Sequence, residues 1–332
     1  MVARVVDRAP LFTLVAIVAL ASVWIARRAP ADLLWSPRRP YQSYGNARVR
    51  TETTSYPRHA TGSDDVRIQI NAPARRIVSQ DAHADEYLYV VVPPERIVGV
   101  SETAYEPRFS NVADTVARYR PVIANDPERV LMANPDLVFT AETVRADMPS
   151  LLRRAGIPVY RMYTMFETLA SIEEHIRLTG YLTGQEARAD AEVRRFMDTV
   201  TRAAARRPAH ATAPRVLGLG ASYGYGARTL FTDILRTLGA ENVAASHGLV
   251  GYDHVSDEHI VGWNPDWIVA GADTGLLERT RAALLARPSI ASTDAARLGH
   301  IVVLENRLFL PLSPFTSQLV DALSQALYGA AS

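Results

Sequence analysis

Cysteine is absent from this 332-residue chain, and lysine is absent too: all 36 basic side chains are Arg. Without Cys there is no disulfide, no thiolate metal site, no cysteine nucleophile and no lipid attached through an N-terminal cysteine. No Walker Lys or G-x-G-x-x-G is present, so the glycines of Gly218-Leu219-Gly220, Gly224 and Gly226 resemble a phosphate loop only loosely. H-E-x-x-H does not occur. No excess of one charge exists either. The formal net charge is +1, which gives no whole-chain argument for nucleic-acid binding. Arg without Lys, in a chain rich in Ala, reads as the codon bias of a GC-rich genome. What remains is 48% apolar and 21% charged, an ordinary globular balance with enough chain for two domains.

The N-terminus carries Arg4 and Arg8, then an apolar run from Leu11 to Ala26 broken only by Thr13 and Ser22. A basic start followed by such a run reads as an export signal, with Ala19-Leu20-Ala21 as a small-x-small cleavage site. Uncleaved, the run is nearly long enough to span a bilayer and would act as an anchor. Residues 1–26 are therefore expected to be signal or anchor, and 27–63 a tether rich in Pro, Arg, Ser and Thr. Either reading places the rest of the chain outside the cytoplasm.

From there, strand and helix signals alternate. Val66–Ile70 alternates apolar and polar residues as a half-buried strand does. Arg76–Ser79, Arg96–Val100, Leu137–Thr140 and Ile157–Tyr160 read as strands; Ala84–Val92 and Met148–Ala155 read as helices. Asp126-Pro127-Glu128 has the chemistry of a helix start, because Asp can cap and Pro suits the first turn. Thr168–Leu182 is helical, Gly184 interrupts it, and 185–208 forms one long helix with acids early and Arg late. Arg215–Gly220 opens a second series of strands and helices that ends in the Ser317–Leu327 helix. Strands alternating with helices imply parallel sheets covered on both faces. The expected fold is α/β: two Rossmann-like lobes, 64–184 and 209–330, joined by the long helix.

One pattern is written twice. Glu128 to Phe139 is matched by Glu258 to Val269, with Glu, Asn, Pro and Asp in identical register at an offset of 258 − 128 = 130 residues. That distance implies paired lobes, since solenoid repeats recur every ~20–50 residues. The Asn-Pro-Asp turns stop a helix and start a strand, a structural task. Glu128 and Glu258 fall in the first turns of their helices. That position stabilises a carboxylate by itself, and two in one register could also engage paired Arg residues on a two-fold partner. Tyr105, Tyr223, Tyr225 and Tyr252 are read as loop aromatics near strand ends, where α/β sheets bind ligands. His83-Ala84-Asp85-Glu86 is the densest ligand-capable cluster, but spacing alone does not make a metal site.

The lobes, helical connector, export signal and doubled motif resemble the helical-backbone periplasmic binding proteins, which serve ABC importers of cobalamin, ferric siderophores and haem. The resemblance runs from about Arg75 to Gly329. It rests on segments such as Arg76-Ile77-Val78-Ser79, Arg96 to Ser101, Gly156-Ile157-Pro158-Val159, Gly239 to Val243 and Val255 to Glu258. It implies that Glu128 and Glu258 meet Arg residues on the transporter's membrane subunits. It also implies that an iron chelate or corrinoid is held between the lobes, with only modest hinge motion. His83 and the four Tyr residues would line that cleft. Tyr252 falls near a position where cobalamin-type members carry Trp, and Ala141 falls where those members carry an aromatic. The resemblance implies no catalysis, no cofactor and a monomer. Alternatives from other classes are a chelatase-like enzyme using His83 and Glu86, and an anchored ectodomain that senses the same cargo.

Overall fold

The computed structural model describes residues 55–116, 126–142, 144, 147–220, 223–309 and 311–329. The expected signal or anchor, and residues 27–54 of the expected tether, lie outside them.

The remainder of that tether is ordered. Strand β1 (Arg58–Thr61) pairs antiparallel with β2 (Arg67–Ile70). Arg58 is buried. Its guanidinium lies over the rings of Tyr56 (4.4 Å) and Tyr181 (4.9 Å), donates to the Tyr181 carbonyl at 2.5 Å and pairs with Glu186 at 2.5 Å. A buried arginine held by these contacts ties this segment down, which polar composition alone hid.

The first lobe follows as β3 (Ile77–Ser79), α1 (Ala82–Val91), β4 (Ile97–Gly99), α2 (Pro127–Met132), β5 (Leu137–Ala141), α3 (Met148–Arg154) and β6 (Val159–Met162). Its sheet has the order β4-β3-β5-β6 and every pairing is parallel. Every residue of β5 is buried, as expected of a central parallel strand covered on both faces.

Helix α4 (Leu169–Thr183) ends at Gly184, whose φ of 68° continues neither helix nor strand. Helix α5 (Glu186–Ala204) then runs 19 residues, about 28 Å at 1.5 Å per residue. Ala189, Val193, Phe196, Val200 and Ala203 form its buried stripe at helical spacing. This stripe belongs to one continuous core that also holds Leu88 and Ile172 of the first lobe and Phe231, Leu319 and Leu323 of the second. The connector is thus embedded between the lobes and is not a free rod.

The second lobe comprises β7 (Arg215–Leu219), β8 (Tyr223–Tyr225), α6 (Leu230–Thr237), β9 (Glu241–Asn242), β10 (Tyr252–His254), α7 (Asp257–Trp263), β11 (Trp267–Ala272), α8 (Leu277–Ala286), β12 (Ile301–Glu305) and α9 (Thr316–Tyr328). Parallel pairings join β9, β7, β11 and β12, matching the first lobe. Two antiparallel strands extend this parallel core: β8 pairs with β7, and β10 pairs with β8. The sequence implies loops for the residues of β8 and β10. Gly-flanked three-residue strands carry too little apolar alternation to register as strands.

The doubled motif is the same joint built twice. Asn134 (φ 47°) and Asn264 (φ 41°) both adopt the left-handed conformation at their helix ends. Asn tolerates that conformation better than most residues. Arg76 donates to the carbonyls of Asn134 (2.8 Å) and Ala133 (2.6 Å); Arg215 donates to those of Asn264 (2.8 Å) and Trp263 (2.7 Å). Each guanidinium therefore neutralises the carbonyl end of the short helix. Asp136 accepts from the amides of Arg75 and Arg76 at 2.8 and 2.9 Å, and Asp266 accepts from that of Arg215 at 3.0 Å.

Candidate functional site

Residues beyond the carboxyl ends of parallel strands in both sheets line a cavity of about 400 Å³. Two further cavities, of about 410 and 520 Å³, continue from it through shared lining residues. The first takes Gln80 and His83 from beyond β3, Thr103 and Phe109 from beyond β4, and Asn306 and Arg307 from beyond β12. The second shares Asn306 and adds Tyr223, Tyr225 and Phe309. The third shares Tyr223 and adds Tyr252, His254 and Met165. Each volume lies in the range of small-molecule sites, at the place in the fold where such sites occur.

The first-lobe wall is polar. Asp81 caps α1, accepting from the amides of His83 (2.9 Å) and Ala84 (3.4 Å). Its Oδ1 also lies 3.1 Å from Nδ1 of His83, whose side chain is 29% exposed. Burial pushes the His83 pKa down, but the hydrogen bond and charge of Asp81, with Glu86 and Asp85 behind it, prevail and leave it raised. One turn further in, Asp85 accepts from the Ser101 hydroxyl at 2.5 Å. Burial raises its pKa to about 7 against the Ser101 and Ser79 hydrogen bonds. Glu86 accepts from the Asn111 amide and side chain at 2.7 and 3.0 Å; burial raises its pKa, and contacts to Ser313 and Asn111 oppose this. Asn111 also donates to the Arg307 carbonyl at 2.8 Å, linking this cluster to the second lobe. Gln80 is buried, and its amide has no hydrogen-bond partner among the described residues.

The second-lobe wall is aromatic. Pleating puts Tyr223 and Tyr225 on one face of β8, and register sets Tyr252 opposite Tyr225. The ring centroids of Tyr223 and Tyr252 lie 6.5 Å apart, and both lie 5.5 Å from that of Tyr225. Phe309 closes on Tyr225 at 5.3 Å. Tyr225 is buried, which holds its hydroxyl protonated far above the usual range; Tyr223 and Tyr252 are 42% and 37% exposed. Two glycines permit this packing. A Cβ on Gly220 would lie 2.5 Å from the Tyr223 ring, and one on Gly271 would lie 2.8 Å from that of Phe309.

His83, Tyr223, Tyr225 and Tyr252 thus border the adjoining cavities. Tyr105 packs half-buried against the first-lobe core instead, and its neighbours Thr103 and Phe109 reach the cavity. Gln80, Phe109, Met165, Asn306, Arg307 and Phe309 also line these cavities, beyond the residues that the sequence singles out. Asn306, Arg307 and Phe309 follow the last parallel strand, so the strand-end rule applied there would have found them. Among the described residues no group of three or more His, Asp or Glu side chains could hold a metal ion.

Glu128 and Glu258 are exposed, each in the first turn of its short helix. Asp126 caps α2, accepting from the Glu128 amide at 3.0 Å. Ser256 caps α7 in a capping box with His259. The Ser256 hydrogen bond, followed by the backbone amide of Glu258, lowers the Glu258 pKa.

The sequence profile of the periplasmic binding protein family matches residues 77–308. A cobalamin-binding protein of Halobacterium salinarum is 29% identical over 300 residues, covering 88% of this chain and 77% of that protein. A periplasmic heme-binding protein of Roseiflexus sp. RS-1, solved in apo form, superimposes with a TM-score of 0.64. It is 25% identical, over 78% of this chain and all of the other. A periplasmic heme-binding protein of Pseudomonas aeruginosa gives a TM-score of 0.61 at 26% identity, over 78% of this chain and 94% of that one.

Proposed function

Because this chain belongs to the periplasmic binding protein family, with relatives of the cobalamin, siderophore and haem importer type and not enzymes, we propose that it binds a tetrapyrrole-like metal chelate, corrinoid or haem, and delivers it to an ABC importer. The observation that carries this reading is the aromatic cluster of Tyr223, Tyr225, Tyr252 and Phe309 beside a polar cavity with which it shares Asn306. Exposed tyrosines offer flat apolar area with polar tips, which suits the face of a macrocycle. Arg307, Asn306 and His83 suit its carboxylate or amide rim.

Capture needs only a small closure. The lobes share the core around α5, and direct links cross between them: the Leu169 amide donates to Asp233 at 2.9 Å, and Asn111 donates to the Arg307 carbonyl. Delivery then relies on Glu128 and Glu258, one on each lobe. Their support is equal placement: exposed, at capped helix starts, each followed by the same Asn-Pro-Asp joint. Paired carboxylates of this kind favour a two-fold partner bearing Arg. The proposed setting is the periplasm, with the protein acting as a monomer.

The test is titration of the purified chain with haem, cobalamin and a ferric siderophore, followed by tyrosine and tryptophan fluorescence. Saturable one-to-one binding of a tetrapyrrole is the expected result. Binding of the siderophore alone, or of none of the three, overturns the reading.

A further inference from the structure

We infer that these cavities select a cargo whose rim carries neutral carboxamides and reject one whose rim carries carboxylates, with Glu305 and Gln80 setting the choice. The inference rests on the macrocycle reading above and narrows it.

The first observation is a shortage of uncommitted positive charge. Among the described residues two arginines line the cavities, and each already faces a carboxylate. Nε of Arg307 donates to Glu305 at 2.6 Å, and Nε of Arg287 donates to Asp257 at 2.7 Å. Asp81 likewise sits 3.1 Å from Nδ1 of His83. Carboxyls line the same spaces: Asp81 and Glu86 in the first cavity, Asp253 in the third. A carboxylate brought here would give up its water and meet more acid than free base. Rejection of this kind burdens the wrong cargo and leaves an uncharged one untouched.

Arg307 is the decisive cation, because a guanidinium fork is what would otherwise hold a carboxylate. Glu305 ends β12 two residues earlier, and a tight turn fixes the pair. The amides of Leu308 and Phe309 both donate to the Glu305 carbonyl, at 2.8 and 2.9 Å. That turn keeps the acid beside the guanidinium.

The second observation is Gln80. It is 6% exposed at the border of the first cavity, and neither Oε1 nor Nε2 has a hydrogen-bond partner. A buried amide without partners is destabilising. A side-chain rotation toward the cavity would bring both atoms to a bound molecule. A primary carboxamide answers both at once, since it donates and accepts; a carboxylate only accepts. Asn306 donates to Asp273 at 2.8 Å, which leaves its side-chain oxygen to accept from such a group as well.

The test holds the ring constant and changes its rim. The probes are dicyanocobinamide, which carries carboxamides, and dicyanocobyrinic acid, the same ring with carboxylates. Hemin is a second carboxylate macrocycle. Each is titrated at neutral pH by fluorescence. Wild-type protein should bind cobinamide about tenfold or more tightly than cobyrinic acid. Glu305→Gln frees the Arg307 charge and should strengthen cobyrinic acid by about fivefold, a gain that a misfolded variant cannot mimic. Gln80→Leu should narrow the ratio from the other side, weakening cobinamide by about fivefold. A wild-type ratio near one, a ratio that neither variant moves, or tighter binding of cobyrinic acid or hemin than of cobinamide overturns the rim assignment while the macrocycle reading stands. Binding of none of the three probes overturns both.

Discussion

The two lobes solve one structural problem identically and then diverge where they face each other. Arg76, Asn134 and Asp136 in the first lobe do what Arg215, Asn264 and Asp266 do in the second, residue for residue at the helix-to-strand joint. At the cleft the likeness ends. The first lobe presents a capped helix start with Asp81, His83 and Glu86; the second presents an antiparallel extension that carries tyrosines. Backbone joints must satisfy fixed carbonyls and amides, so their chemistry repeats wherever the joint repeats. Side chains at strand ends have no such duty and can be fitted to a ligand.

The comparison can be broken first at the docking points. Glu128→Ala together with Glu258→Ala is expected to abolish uptake in cells while cargo affinity, read by fluorescence, stays within twofold. Each single change should leave measurable uptake. Equal uptake by the double variant and the wild type would remove the docking role from both lobes.

A second contrast concerns buried aspartates on the first long helix of each lobe. Asp85 titrates near 7 in the folded chain against an ordinary value of 3.8, because burial disfavours its charge. The folded protein therefore holds a proton that the unfolded chain has released between those values. The stability tied to that proton is full below about pH 4 and lost as pH rises through about 7. Asp85→Asn should therefore raise stability at pH 8 by roughly 2–4 kcal/mol relative to wild type, with little effect at pH 4. Asp233 has charged and amide partners, the Arg236 guanidinium and the Leu169 N–H. Asp233→Asn should instead lower stability by about 1–2 kcal/mol. Denaturant melts at pH 4 and pH 8 check both signs. His175 adds an opposing slope to the wild-type curve, since burial lowers its pKa from 6.5 to about 4 and stability falls on acidification through that window. Comparing each variant with wild type at one pH cancels that slope.

The smallest expected difference separates the two asparagines. Both have positive φ, so glycine should satisfy either backbone. Asn264 also bonds Asp294 through its side chain, donating at 2.7 Å and accepting from the Asp294 amide at 2.8 Å. Asn264→Gly should therefore cost about 1–2 kcal/mol and Asn134→Gly at most a few tenths. Thermal melts that moved equally would mean the side-chain bonds contribute nothing.

Much of this was readable in the chain. Asp126-Pro127 and Thr168 announced helix starts, Gly184 announced a break, and apolar runs such as Leu137-Val138-Phe139 announced buried strands. Those signals are local: a cap, a fixed φ, a period. Strand β1 carries no such local signal, because its burial depends on Arg58 meeting Tyr56, Tyr181 and Glu186, two of them more than a hundred residues away. Tyr105 follows a strand end, but proximity to that end says nothing about which way a ring turns, and Tyr105 packs against the core. Asn306, Arg307 and Phe309 were passed over because only the folded second sheet brings the end of β12 beside β11 and the first lobe.

By itself the sequence determined the alternation of strands and helices, the duplicated joint and the long connector, because backbone hydrogen bonding and apolar periodicity are written residue by residue. Only the tertiary structure decided that the connector is buried in a core shared by both lobes, that the tyrosines sit on paired strands, and that a polar cavity adjoins an aromatic one. Those features arise from contacts between residues far apart in the chain, and no local pattern records which distant surfaces will meet.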